Sequence, residues 1–274
     1  MIPAAFDYER VDSVDAALAA LAEHGDDAKL LAGGHSLLPL MRLRLAQPEV
    51  LVDIGRLGDL AGISDGGDHV AIGALTRHHD VVHSDLLRAQ APILPAATAE
   101  VGDPQVRHRG TIGGSISHAD PASDLPAVLL ALRASLVVRS QARGERVIEV
   151  DDFFTGFLES ALEPDELMTE IRVPKVPDAG WSFKKFNRRA QDWAIVGVAC
   201  VRNGAAGVGL VNMGSTPLRA GAVEAALADG ADIAAAAAHA ADDAEPQADL
   251  NASIEYRTHL AEVLVRRALD EATS

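Results

Sequence analysis

The sequence predicts an α+β fold, because segments with strand and helix patterns are mixed without a regular β–α–β repetition. Apolar residues recur at helical spacing near both ends of the chain, after Asp12-Ser13 and over residues 253–270. Between them, residues 181–213 alternate in polarity like antiparallel strands, and Asn203-Gly204 indicates a hairpin turn. The 274 residues are enough for one large domain or two modest ones.

The first part of the chain contains short apolar runs that predict strands, over residues 6–8, 29–32, 50–54 and 70–73. Asp12 or Ser13 is suited to cap a helix that Gly25 ends. Thr76 is expected to cap a second helix, to about residue 82. Pro92 is expected to begin a third that ends before residue 102.

The rest of the chain divides at Pro174 and Pro177, which mark the best domain boundary. Before it, Ser123 is expected to cap a helix to about residue 132. Strands are predicted on both sides of the boundary, over residues 135–139, 147–150, 167–173, 181–187, 194–201 and 208–213. Helices are predicted at the end, over residues 220–228, 233–241 and 253–270.

Charge and cysteine content exclude several classes of function. The net charge is −16, from 40 acidic and 24 basic residues, which disfavours binding to nucleic acid or to an anionic membrane. Cys200 is the single cysteine, so the chain cannot form an internal disulfide or supply the ligands of an iron–sulfur cluster. With no signal-peptide pattern and no apolar run of about 20 residues, the sequence predicts a cytoplasmic protein without a transmembrane segment.

Two glycine pairs are the clearest indication of a ligand-binding site in the sequence. Each pair follows an apolar run and lies beside small hydroxyl residues. They are Ala32-Gly33-Gly34-His35-Ser36 and Thr111-Ile112-Gly113-Gly114-Ser115. Glycine can adopt positive φ, and successive backbone N–H groups in such turns form a concavity that binds anions. Either pair alone is more often a simple turn. The chain has neither G-x-G-x-x-G nor G-K-[ST], which disfavours a Rossmann dinucleotide site and a P-loop.

Four segments resemble the FAD-binding medium subunit of molybdenum hydroxylases, especially that of aerobic carbon monoxide dehydrogenase, to which the flavin domain of xanthine dehydrogenase is related. The segments are KLLAGGHSLLPLMRLRL (29–45), VAIGALTRHHDV (70–81), RHRGTIGGSISHADPASDLPA (107–127) and MGSTPLRA (213–220). The resemblance runs over nearly the full chain. It implies an FAD-binding domain of the vanillyl-alcohol oxidase / p-cresol methylhydroxylase type over residues 1–175, with two lobes divided near 57–60. A smaller α+β domain would follow over residues 178–274.

The resemblance also implies that the chain is the flavoprotein subunit of a multi-subunit oxidoreductase and that it turns over no substrate alone. The partners would be a large molybdenum-cofactor subunit and a small subunit with two [2Fe-2S] clusters, together a heterotrimer. Electrons would pass from molybdenum through the clusters to non-covalent FAD and then to an external acceptor. Two alternatives are a stand-alone flavin oxidase of the same superfamily and a scaffold subunit that has lost the cofactor.

Position by position, the resemblance assigns the two glycine loops, Ala32–Ser36 and Thr111–Ser115, to the pyrophosphate and one edge of the flavin. It further assigns cofactor contacts to Asp124, Met168, Lys184 and Trp193. Three of the four have a simpler explanation: Asp124 can complement a helix N-terminus, Lys184 can be a solvated strand residue, and Trp193 can be a core residue.

No residue is predicted to be catalytic or to bind a metal. The sequence His79-Asp80-Val81-Val82-His83 resembles the zinc motif H-E-x-x-H, but it lacks the glutamate and an obvious third ligand, so an exposed helix face is favoured. Some oxidases of the superfamily bind flavin covalently through a histidine, for which His35 and His108 are candidates here, but the branch that this chain resembles does not. Cys200 is expected to be a small buried hydrophobe.

Overall fold

The structure is a computed structural model that describes residues 2–273. Its N-terminal part is a parallel sheet of order β1-β3-β2, with strands β1 (Asp7–Arg10), β2 (Ala28–Leu31) and β3 (Val50–Asp53). Helix α1 (Val14–His24) connects β1 to β2, and α2 (Leu37–Leu43) lies between β2 and β3. Ser13 caps α1 by accepting from the Ala16 N–H, and Gly25 ends it at φ +52°, as predicted.

The middle part is an antiparallel sheet of order β4-β5-β10-β6-β7. Its strands are β4 (Ile63–Asp65), β5 (His69–Gly73), β6 (Ser135–Ser140), β7 (Gly144–Glu149) and β10 (Glu166–Pro174). Six helices lie between β5 and β6: α3 (His78–His83), α4 (Asp85–Gln90), α5 (Ile93–Ala99), α6 (Pro104–Arg109), α7 (Ile112–His118) and α8 (Asp124–Leu132). A small hairpin, β8 (Phe154–Gly156) and β9 (Glu159–Ser160), precedes β10.

The C-terminal part is an antiparallel sheet of order β11-β12-β13-β14 with three helices. The strands are β11 (Gly180–Phe186), β12 (Val196–Asn203), β13 (Ala205–Val211) and β14 (Leu218–Arg219). The helices are α9 (Gly221–Ala228), α10 (Ile233–Ala237) and α11 (Ile254–Glu271). Gly204, at φ +75°, forms the predicted hairpin turn between β12 and β13.

Helix α8 joins the middle and C-terminal parts, and all nine of its residues are buried. It packs on β12 and β13, while α11 packs on β11 and β12. A Cβ at Gly207 or Gly209 of β13 would collide with the backbone of Ala131 or Ala127 in α8. These two glycines therefore permit the close approach that fixes the start of α8 beside β11.

The structure confirms the α+β class and corrects several local predictions. Thr76 does not cap α3, because its hydroxyl bonds the backbone of Gly62 instead, and Arg77 is the N-cap residue. The second glycine pair lies in the first turn of α7 rather than in a loop. Among residues 2–273, no helix is long and apolar enough to cross a membrane. The domain limits remain a prediction, with β10 ending at Pro174 and β11 beginning at Gly180.

Candidate functional site

Both glycine pairs line one cleft of about 760 Å³, a volume within the range of small-molecule sites. The first pair follows β2, and the second begins α7. Gly33 packs directly on the chain between α6 and α7, where a Cβ would lie 2.8 Å from the Gly110 Cα. Glycine at position 33 therefore lets the two segments meet at the floor of the cleft.

The first loop carries free hydrogen-bond donors. Within residues 2–273, the backbone N–H groups of residues 33–37 donate to no protein acceptor. Gly34 has φ +77°, a conformation that favours glycine, and the backbone turns there from β2 into α2. A run of unpaired N–H groups is an anion site that requires no lysine, which suits a chain of net charge −16.

The second pair differs, because the protein already satisfies its N–H groups. Ile112 donates to the Thr76 carbonyl at 3.0 Å, and Gly113 donates to the Ala74 carbonyl at 2.9 Å. Gly114 donates to the Thr111 hydroxyl at 3.2 Å, which makes Thr111 the N-cap of α7. The expectation that both pairs offer free N–H groups is therefore wrong for the second pair, which presents a helix N-terminus and the Ser115 hydroxyl.

Asp124 and Lys185 form an ion pair at the edge of the cleft. The Lys185 Nζ lies 2.7 Å from the Asp124 Oδ2, and both side chains are only 6% exposed. Burial raises the pKa of Asp124 to about 6, and the neighbouring Lys185 opposes that rise. The second carboxylate oxygen, Oδ1, is buried without a hydrogen-bond partner among the described residues. The pair therefore has one acceptor left for a ligand.

Lys184, the predicted cofactor contact, lies outside the cleft, and Lys185 lines it. Successive residues of a strand face opposite sides. Lys184 points to α11, where its Nζ pairs with Glu271. Trp181 and Phe183, on the other face of β11, pack on the hydrophobic core formed by α8 and the middle sheet, and Lys185 shares that face. The prediction was one residue out of register, and the apolar residues at 181 and 183 were the signal that would have corrected it.

The remaining predicted residues line the cleft, with the exception of Ile112. Ala32, His35 and Ser36 line the cleft, as does Met168, which is 3% exposed and part of the core. Ile112 does not line the cleft, because its side chain is completely buried in the core. Trp193 also lines the cleft and is 61% exposed, so it is not a core residue. Its ring is available for a planar ligand to stack on.

His78 was not predicted from the sequence, and it lines the cleft beside Ser115. Its ring is 1% exposed, and its Nε2 lies 2.9 Å from the Ser115 hydroxyl. Burial, with smaller effects from Arg107, His35 and Arg77, lowers the pKa of His78 to about 4. His78 is therefore neutral at pH 7. Nothing in the helical pattern distinguishes it from the adjacent His79.

The resemblance of residues 79–83 to a zinc motif does not extend to a metal-binding geometry. His79 lies 4.2 Å, between ring centroids, from both His83 and His108. Over the range 2–273, no group of three or more His, Cys, Asp or Glu side chains is arranged to hold a metal ion. The cleft instead combines anion donors, an orphan carboxylate oxygen and an aromatic ring, which suits a phosphate-bearing ligand with a planar group.

Two family models cover almost all of the chain. Residues 4–176 match the FAD binding domain in molybdopterin dehydrogenase, and residues 181–272 match the CO dehydrogenase flavoprotein C-terminal domain. The carbon monoxide dehydrogenase medium chain of Hydrogenophaga pseudoflava is 42% identical over 99% of this chain and 98% of its own length. The caffeine dehydrogenase subunit beta of a Pseudomonas species is 38% identical over 99% of this chain and 96% of its own length.

Solved structures agree with these matches. A chain of the Hydrogenophaga pseudoflava carbon monoxide dehydrogenase superposes with a TM-score of 0.96 at 44% identity, covering 100% of this chain and 99% of that one. A chain of quinoline 2-oxidoreductase from Pseudomonas putida 86 superposes with a TM-score of 0.91 at 31% identity, with the same coverage.

Proposed function

The chain belongs to the FAD-binding medium subunits of molybdenum hydroxylases, and we propose that it transfers electrons from the [2Fe-2S] clusters of a partner subunit to an external acceptor. The observation that carries this proposal is the cleft, in which free N–H groups at residues 33–37 share one cavity with Asp124 and Trp193. The single cysteine, Cys200, is buried, so the chain depends on a partner for iron–sulfur clusters.

The residues of the cleft fit FAD. The N–H groups of residues 33–37 and the Ser115 hydroxyl would hold the pyrophosphate. The Asp124 Oδ1, which lacks a protein partner, would accept a hydrogen bond from the cofactor, and Trp193 would stack on a ring. When bound, FAD supplies the one- and two-electron chemistry, and the chain supplies binding, orientation and the surrounding electrostatics.

An exposed apolar face beside the cleft supports docking of an iron–sulfur partner. Leu37 and Leu40 of α2 line the cleft, whereas Leu38, Leu43 and Leu45 are 41%, 56% and 73% exposed. Exposed apolar groups of this kind mark protein interfaces when they are contiguous. We assign this surface to the small subunit and call it the α2 face; it is defined by Leu38 and Leu43 of α2 and by Leu45, two residues after the helix. A large molybdenum-cofactor subunit would complete a heterotrimer.

The substrate is proposed to be determined by the large subunit rather than by this chain. Relatives named for carbon monoxide, caffeine and 6-hydroxypseudooxynicotine are 42%, 38% and 41% identical to this chain. Similar identity across names for such different compounds fits a subunit that does not contact the substrate.

The test is affinity purification of the tagged chain from its host, followed by flavin and metal analysis. We expect copurification of two further subunits with FAD, molybdenum and iron, and release of the flavin into the supernatant on acid precipitation. Flavin that stays on the precipitated protein would refute non-covalent binding. A flavin-loaded lone chain that oxidises an organic substrate with dioxygen would favour the stand-alone oxidase, and a complex without flavin would favour the scaffold.

A further inference from the structure

His78 is buried in the wall of the cleft but has one ring nitrogen without a partner. Its Nε2 lies 2.9 Å from the Ser115 Oγ, whereas its Nδ1 has no hydrogen-bond partner among the described residues. The backbone holds the ring in place, because the His78 N–H donates to the Gly110 carbonyl at 3.0 Å. A Cβ at Gly110 would lie 2.8 Å from the His78 Cδ2, so the ring fills the space beside that glycine.

We propose that His78 is a positioning residue that donates from Nε2–H to Ser115 and thereby turns the Ser115 hydroxyl proton toward the cofactor's phosphates. The inference rests on the proposed function, since it assumes that FAD occupies the cleft. His78 does not itself contact the cofactor in this proposal; it acts through Ser115.

The choice of tautomer follows from the hydrogen bonds that each one leaves unmade. With the proton on Nδ1, that buried N–H would have no acceptor. The Ser115 hydroxyl would then have to donate its proton to the unprotonated Nε2. With the proton on Nε2, only an acceptor lone pair stays unpaired, and buried N–H groups without partners are the rarer defect. The second arrangement also leaves the hydroxyl proton of Ser115 free.

A hydroxyl oriented in this way adds a donor that α7 otherwise lacks. The N–H groups of Gly113, Gly114 and Ser115 are already bonded within the protein. Ser115 lines the cleft and is partly exposed, so its hydroxyl can reach a ligand. His78 is neutral at pH 7, because burial keeps its pKa at about 4, so it provides one donor and no net charge.

The first test is a double-mutant cycle on FAD affinity, measured by quenching of flavin fluorescence with the full chain. His78→Phe fills the space without a donor, and we expect it to raise the Kd for FAD roughly tenfold, the effect of one hydrogen bond to a charged group. In a Ser115→Ala background the same change should raise Kd by less than about twofold. His78→Gln, which keeps an amide donor, should restore part of the affinity. Equal effects of His78→Phe in both backgrounds, or no effect in either, would overturn the proposal.

A second measurement is independent of FAD and covers the case in which His78→Phe does not fold. Long-range ¹H–¹⁵N correlation spectra of the unmodified chain report which nitrogen of His78 carries the proton. The Nε2–H tautomer is expected, and the Nδ1–H tautomer would overturn the proposal. If the unmodified chain has the expected tautomer but never binds FAD, the failure lies with the proposed function instead.

Discussion

The two adjacent lysines of β11 differ sharply in their surroundings, and they provide a matched pair of substitutions. Lys185→Met would leave Asp124 buried without its partner, which costs about 3–5 kcal/mol of stability. Lys184→Met would remove a partly exposed pair with Glu271 and should cost about 1 kcal/mol or less. Urea unfolding of the two variants measures the difference. Equal losses would show that the Asp124–Lys185 pair is not as isolated from water as its 6% exposure indicates.

Stability between pH 4 and 6.5 should depend on two buried groups with opposite signs. The folded-state pKa of His78 is depressed from 6.5 to about 4, so its contribution is present above pH 6.5 and is lost as the pH falls. The folded-state pKa of Asp124 is raised from 3.8 to about 6, so its contribution is present below pH 3.8 and is lost as the pH rises. These two contributions therefore oppose each other in the unmodified chain.

Substitution of either residue should separate the contributions of His78 and Asp124 to the pH dependence of stability. Asp124→Asn removes the carboxyl, so the variant should lose stability more steeply than the unmodified chain as the pH falls from 6.5 to 4. His78→Gln removes the imidazole, so this variant should lose less stability than the unmodified chain, or gain some, as the pH falls over the same range. The charged groups that act on His78 are Arg77, Arg107 and His35, and those that act on Asp124 are Lys185 and Glu100; all remain in both variants. Urea midpoints of the FAD-free chain at several pH values measure both slopes. Parallel slopes in the two variants would contradict the assignment.

At the scale of elements, the first turn of α7 separates a structural glycine from a ligand-facing one. A Cβ at Gly113 would lie 2.6 Å from both the Cβ and the carbonyl oxygen of Ala74. Gly113→Val should therefore destabilise the fold by about 1–3 kcal/mol or more. Gly114 is exposed, and its Cβ would approach only the Thr111 hydroxyl, at 2.8 Å. Neither glycine has positive φ, so backbone strain is not part of the expectation.

Gly114→Val should consequently weaken FAD binding by tenfold or more at a folding cost of about 1 kcal/mol, the value of the cap that it disturbs. Circular dichroism during thermal unfolding and flavin fluorescence give the two quantities. A folded Gly114→Val chain with unchanged FAD affinity would mean that α7 does not face the cofactor.

The elements that the sequence predicted well are those long enough to show a period. Helix α1, β10, the β12–β13 hairpin and α11 all have several repeats or a strong turn signal. Helices α2, α4, α6 and α7 were not predicted, because six or seven residues span fewer than two turns and leave little periodicity to read. The equally short α3 and α5 were predicted from residues suited to a helix start, Thr76 and Pro92, rather than from a period. The same limit applies to the site. Glycine pairs are visible in a sequence, but which N–H groups stay free depends on the carbonyl groups of Ala74 and Thr76, which only the fold brings to α7.

At the scale of the whole molecule, the cleft draws on all three parts of the chain. The first loop follows the parallel sheet, α7 and Asp124 belong to the middle part, and Lys185 and Trp193 come from the segment after Pro174. Helix α8 makes this possible, because Gly207 and Gly209 let it lie directly on β13 while its first residue reaches β11. Removal of the C-terminal part would therefore remove both Lys185, the ion-pair partner of Asp124, and Trp193.

The same architecture predicts how electrons enter and leave. The chain has the cleft proposed for FAD but only one cysteine, which is buried, so it has no cluster to receive electrons from a substrate. FAD in the isolated chain should be bleached by dithionite and not by carbon monoxide, aldehydes or purines. In a complex with the proposed large and small partners, the substrate of the large subunit should bleach the flavin. Absorbance at the flavin band under anaerobic conditions measures both reactions.

Docking through the α2 face can be tested in the same complex. Leu43→Asp with Leu45→Asp places two charges on apolar positions that are 56% and 73% exposed, so the isolated chain should still fold and bind FAD. Copurification of the small subunit should be lost, and substrate should no longer bleach the flavin. Leu250→Asp is the control, because Leu250 is fully exposed and lies in the C-terminal part, away from α2 in the chain. If the α2 variant assembles as well as the control does, the iron–sulfur partner binds elsewhere, and electrons reach the flavin from another side of the cleft.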